Sequence, residues 1–149
     1  MALVVATPIG PAERTAIAAG EAWHFSKATP AQILIAKLPG GPGQPNARVR
    51  LSPPTGWQLD FWKFVRDAAV WDPNTLGAAD RGRYLYCFLG EPGSFAKRMN
   101  VQKAPLAIRI RGTDLLAAVA GQNLFYRSAD RVVAIRGDYT GPAILDPAP

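Results

Sequence analysis

A chain of 149 residues with 48% apolar and 19% charged side chains can bury a core without disulfides or metals, and this composition excludes disorder throughout. A single cysteine excludes an intramolecular disulfide and a multi-cysteine zinc site. The net charge is +6, and all of the excess lies in residues 48–138, where 14 Lys and Arg face 8 Asp and Glu. Either acidic partners or ion pairs between subunits would use such an excess.

Residues 1–12 carry no charge and contain two prolines, which remove backbone donors and restrict the residues before them. They are expected to form an extended arm lying on their own domain or on a neighbouring subunit. The segment Gly20–Lys27 alternates Ala22, His24 and Ser26 with Glu21, Trp23 and Phe25, the period of a strand. Gln32–Leu38 is a short apolar run between Pro30 and Pro39 and predicts a strand buried on both sides. Residues 39–46 hold three prolines and three glycines and must be a loop. Arg48–Leu51 alternates charged and apolar residues, as a half-exposed strand does, and Pro53-Pro54 ends it.

Trp57 to Trp71 fits a strand passing into a helix that stops before Asp72-Pro73, and Asn74 to Gly82 reads as a polar connection. Arg83 to Leu89 is a strand pattern with Tyr84, Tyr86 and Phe88 on one face, followed by a turn at Gly90–Gly93. Leu106 to Arg111 sets Ile108 and Ile110 against Arg109 and Arg111, one face buried and one wet. Thr113 is placed to cap a helix over Asp114–Ala120 that Gly121 closes. Asn123–Arg127 and Arg131–Arg136 predict a hairpin around Ser128-Ala-Asp130. The last eleven residues, 139–149, carry only Asp146 as a charge and read as a second apolar arm. The fold expected is therefore mainly β, an antiparallel sandwich or small barrel with one or two short helices: a domain over 13–138, with arms at 1–12 and 139–149.

Chemistry-bearing residues are sparse. His24 is the only histidine, and in a strand rich in aromatics it reads as a packed structural residue rather than a general base. Cys87 sits in the apolar run Tyr84–Leu89 and reads as an inert core thiol. Asp60, Asp67 and Asp72 do not have the spacing of a calcium loop. Gly40–Gly43 lacks the lysine and hydroxyl of a P-loop, and its proline removes a donor. Arg136-Gly-Asp138 is read as a chance tripeptide in a turn. These residues predict no catalytic site, no cofactor and no metal.

The remaining candidate is a surface. Arg48, Arg50, Arg109 and Arg111 fall on alternating strand positions, with Arg81 and Arg83 nearby in sequence, so they could build one basic face. Tyr84, Tyr86, Trp57 and Phe125 could add stacking platforms, as in small barrels that bind single-stranded nucleic acid. The competing expectation is assembly, with extended proline-bearing arms docking on other copies at low entropic cost. In composition the chain resembles the small subunits of bacteriophage capsids and tails. That likeness implies a non-enzymatic virion component whose partners are its own copies and other structural proteins, with nucleic acid as the alternative ligand. No apolar run approaches the ~20 residues of a membrane span, and no basic start with a long apolar stretch marks a signal peptide. Synthesis in the cytoplasm, no membrane partner and a final place in the virion are expected.

Overall fold

The structure is a computed structural model that describes residues 9–26, 28–53, 84–90, 106–127 and 131–149. The expected strand and helix within Trp57–Trp71, the connection Asn74–Gly82 and most of the Gly90–Gly93 turn lie outside them. The elements are α1 (Pro11–Ala18), β1 (Glu21–Ser26), α2 (Pro30–Ile33), β2 (Leu34–Lys37), β3 (Ala47–Leu51), β4 (Tyr84–Leu89), β5 (Leu106–Arg111), α3 (Gly112–Ala118), β6 (Leu124–Arg127), β7 (Val132–Arg136) and β8 (Tyr139–Asp146). The fold is mainly β: among the described residues, eight antiparallel strands form one sheet in the order β2-β3-β8-β5-β1-β4-β7-β6.

Chain length forces this sheet out of plane. Arg136 and Tyr139 are separated by three virtual bonds of ~3.8 Å, a reach of about 11 Å. In a flat sheet, β7 and β8 would stand four strand spacings apart, about 19 Å. Beyond its pairing with β5, β8 must therefore turn back toward the end of β7 and carry β3 and β2 with it. The register records the switch. Ala107, Ile108 and Arg109 pair with Asp146, Leu145 and Ile144, whereas Tyr139 to Ala143 pair with Leu51 to Ala47. One core cluster fills the enclosed space, with Val49 and Leu51 of β3 in the same cluster as Leu85 and Cys87 of β4, Leu124 of β6 and Ile135 of β7.

Two side chains secure the switch in β8. Asn46 offers its amide to Leu145 from both ends, Nδ2 donating to the carbonyl at 3.0 Å and Oδ1 accepting from the amide at 2.8 Å. It thereby supplies the hydrogen bonds that a further β3 residue would have made. Tyr139 is fully buried, and its hydroxyl donates to the Pro142 carbonyl at 2.6 Å. Gly141 lies against that hydroxyl, where a Cβ would stand only 2.7 Å away.

The segment 139–146, expected as an arm, is thus a strand of the chain's own sheet with neighbours on both sides. At the other end, helix α1 begins inside the expected arm. Pro11 occupies the first helical position, where its missing donor costs nothing, and the Gly10 amide donates to the Glu13 carboxylate at 3.2 Å. Gln32–Leu38, expected as a doubly buried strand, is divided. Thr29-Pro-Ala-Gln32 forms a helical turn, with the Thr29 amide donating to Gln32 Oε1 at 2.8 Å. Only Leu34–Lys37 is strand, and it is largely exposed because it lies at the edge of the sheet.

Helix α3 starts at Gly112, two residues before the expected Asp114, and Arg111 stands at its N-cap without a side-chain cap bond; Thr113 is exposed in its first turn. Packing explains the shift. The Gly112 amide donates to the Gly20 carbonyl at 2.8 Å, and a Cβ at 112 would overlap the Ile17 carbonyl. The expected β1, β3, β4 and β5, the loop 39–46 and the antiparallel pair β6–β7 are present; the described residues hold three short α-helices where one or two were expected, the third ends at Ala118 rather than Ala120, and the turn Ser128-Ala-Asp130 lies outside the described residues.

Gly112→Ala should lower the unfolding free energy by about 3 kcal/mol or more, because backbone rather than a flexible side chain must move. Asn46→Ala should cost about 1–3 kcal/mol by leaving the Leu145 backbone groups unsatisfied. Urea titration followed by circular dichroism measures both.

Candidate interaction surface

The strand registers decide which side chains share a face. On β5, Leu106, Ile108 and Ile110 are buried in the core, so Ala107, Arg109 and Arg111 point the other way. Trp23 stands opposite Arg109, and Glu21 opposite Arg111. Across β8, Arg48 pairs with Pro142 and Arg50 with Thr140, on the face opposite the buried Ala47, Val49 and Leu51. The four arginines Arg48, Arg50, Arg109 and Arg111 therefore lie on the outer face of the curled sheet. Arg81 and Arg83 lie outside the described residues.

Sharing a face does not leave these arginines free for a ligand. Arg50 reaches the β7–β8 corner, where its Nε and Nη2 donate to Asp138 Oδ2 at 3.1 and 3.0 Å. At the end of β5, Arg111 donates from Nε to Asp114 Oδ2 at 2.7 Å and from Nη2 to Asp114 Oδ1 at 3.3 Å. It also approaches Gln44 Oε1, at 3.4 Å. Arg109 lies 3.7 Å from Glu21 and 5.2 Å above the Trp23 ring, a cation–π placement. Each of these three guanidinium groups has a carboxylate neighbour, so the charge of the set is matched within the chain. Arg48 is exposed and, among the described residues, has no carboxylate at ion-pair distance.

The proposed stacking platforms fare differently. Tyr86 and Phe125 are 7% and 8% exposed, too buried to receive a base on the ring face, because the β4-β7-β6 side of the sheet is buried on both faces. Trp57 and the Tyr84 side chain lie outside what the structure describes. Among the described residues Trp23 does neighbour an arginine: it is half-buried beneath Arg109 and 6.4 Å from the Phe25 ring. The alternation Glu21, Trp23, Phe25 signalled its face, but its neighbour follows only from the register between β1 and β5.

His24 serves the backbone. The β1–β4 ladder covers only Ala22–Leu89 and Trp23–Phe88, and His24 Nδ1 then lies 2.8 Å from the Tyr86 carbonyl. A carbonyl only accepts, so Nδ1 carries the proton. Burial holds the imidazole below its ordinary pKa against the opposing effect of that bond. Cys87 is fully buried, and burial pushes its thiol up to about 12, which leaves negligible thiolate near neutrality. Among the described residues no group of three or more His, Cys, Asp and Glu side chains could hold a metal ion, and no helix is long and apolar enough to cross a membrane.

Comparisons of the chain with protein-family models, with curated proteins and with solved structures found no match.

The lowered pKa of His24 fixes the sign of a pH effect. Above about pH 6.5 the imidazole is neutral in both states and stability is complete. As pH falls through that value the unfolded chain binds a proton that the folded chain does not, and stability declines by up to ~1.4 kcal/mol per pH unit. His24→Gln should flatten the dependence of the denaturation midpoint between pH 6.5 and 5.5, and an unchanged slope would refute the assignment.

Proposed function

We propose that this protein is a non-enzymatic structural subunit of a large homomeric assembly, most concretely a bacteriophage virion component of the capsid or tail. The observation that carries the reading is the position of Ile9. Its amide donates to the Leu124 carbonyl at 3.0 Å, on the side of β6 away from β7, so the chain comes to its first helix along an edge of the sheet. The eight residues before Ile9 are uncharged, and Leu3, Val4, Val5 and Thr7 include strong strand formers. We propose that this segment contacts a neighbouring copy. The C-terminal segment is not proposed for that role, since residues 139–146 are engaged within their own sheet. The virion version rests on likeness of composition to small capsid and tail subunits.

The alternative is a basic β module that binds single-stranded nucleic acid, and the exposed, unmatched Arg48 favours it. The carboxylates beside Arg50, Arg109 and Arg111 weigh against it, because an entering phosphate would have to displace them. Assembly is therefore the preferred reading.

Deletion of residues 1–8 should convert a concentration-dependent oligomer into a smaller species of unchanged melting temperature, measured by light scattering after size exclusion. A wild-type protein that stays monomeric at every concentration would refute the assembly reading.

A further inference from the structure

At the β2 edge, an exposed strand coincides with positive charge that has no carboxylate at ion-pair distance among the described residues. Among the described residues β2 is paired with β3 alone. Ile35, at 51% exposure, is the one exposed large hydrophobic side chain among them. It sits at the register shift between Leu34 and Ala36, an edge bulge of the kind that re-aims a side chain. From Ala22 to Leu59 the sequence has no Asp or Glu, while it contains Lys27, Lys37, Arg48 and Arg50.

Lys37 and Arg48 leave this edge on opposite faces. Lys37 pairs with the buried Ala47 and so lies on the core side of the sheet, yet it is exposed because it is at the margin. Arg48 is on the outer side, and its β2 neighbour is Ala36, too short to cover the guanidinium. Any strand laid along β2 would send alternate side chains to both faces, and on each face a cation stands near. A second copy of this edge would bring lysine and arginine against their like, which repels. An acidic segment meets the opposite sign on both faces, and an apolar side chain within it can rest on Ile35.

We propose that the β2–β3 edge is a docking site for an extended acidic segment of a partner protein, recognised by Lys37 and Arg48 on its two faces and anchored on Ile35. The charge pattern makes the edge selective, closed to copies of itself and open to an acidic strand. This inference does not depend on the homomeric reading, because peptide binding is measured whether or not the protein oligomerises.

The test uses the full chain and three fluorescent probes: a blocked peptide alternating glutamate and valine, its lysine and valine counterpart, and a short oligo(dT). Anisotropy at low and at physiological salt gives the affinities. The acidic peptide should bind at least about tenfold more tightly than the basic one, and more weakly as salt rises. Lys37→Glu with Arg48→Glu should remove the preference, and Ile35→Ser should weaken the acidic peptide by about tenfold, with melting temperatures unchanged because all three side chains are exposed. Equal binding of the two peptides, or an unaltered affinity after charge reversal, would overturn the proposal. Binding of oligo(dT) without binding of the acidic peptide would overturn it in favour of a nucleic-acid ligand.

Discussion

Two residues join β7 to β8, and most of the architecture follows from how little distance they can cover. The sheet order puts three strands between these neighbours in sequence, so a short link is compatible only with a sheet that curls until its distant parts approach. Curling encloses one face, and that face holds the fully buried Ile108, Ile110, Ile135 and Tyr139. β8 must then change partners midway, and the change leaves the backbone of Leu145 without a strand on one side. Pro45 has no amide to offer there. The Asn46 side chain fills the gap, which gives this polar residue a structural reason to stand at the base of a proline-glycine loop. The loop itself is continuous with the hairpin: Leu38 donates to Asn46 at 2.9 Å and Gly40 to Pro45 at 3.1 Å.

Electrostatics on the outer face have little to do with stability. The Arg50 side chain is 67% exposed, and pairs of that kind contribute about 0–1 kcal/mol. Their consequence is for recognition. A guanidinium already facing a carboxylate is a poor handle for a phosphate, whereas one without a carboxylate neighbour is open to a new partner. Counting arginines on a face therefore overstates its capacity to bind anions. The presence of Asp114 three residues after Arg111, and the approach of Asp138 to Arg50 across 88 positions of sequence, reduce the apparent basic face to Arg48 and the margin of β2.

Period-two patterns were legible where one face is buried and the other wet, hence β3 and β5 are visible as Arg48–Leu51 and Leu106–Arg111. They failed where the buried pattern depends on position in the sheet. Gln32–Leu38 has the composition of an interior strand, but an edge needs no such burial, and Pro30 with Gln32 supports a helical turn. Tyr139–Asp146 failed in the opposite direction. Its glycine and proline resemble a tail, yet Gly141 is needed beneath the Tyr139 hydroxyl, and Pro142 contributes a carbonyl that accepts from it. Of the candidate surface, the shared face of Arg48, Arg50, Arg109 and Arg111 was legible from alternation. Their carboxylate partners were not, because Arg50 and Asp138 meet only when β3 and the β7–β8 corner come together.

The two edges of the sheet are unequal, and the inequality has a physical origin in what flanks them. At β6, Leu124 is fully buried and Phe125 nearly so, and the Ile9 amide already occupies the outward carbonyl of Leu124. An apolar edge of this kind is protected by coverage. At β2 the side chains are exposed, and protection comes instead from charge. Coverage excludes every partner alike, but charge excludes only partners of the same sign. A protein that needed only to avoid aggregation could have balanced Lys37 and Arg48 with nearby carboxylates, as it does for Arg50, Arg109 and Arg111. An edge left positive repels copies of itself and, on the proposal made for β2, attracts an acidic strand.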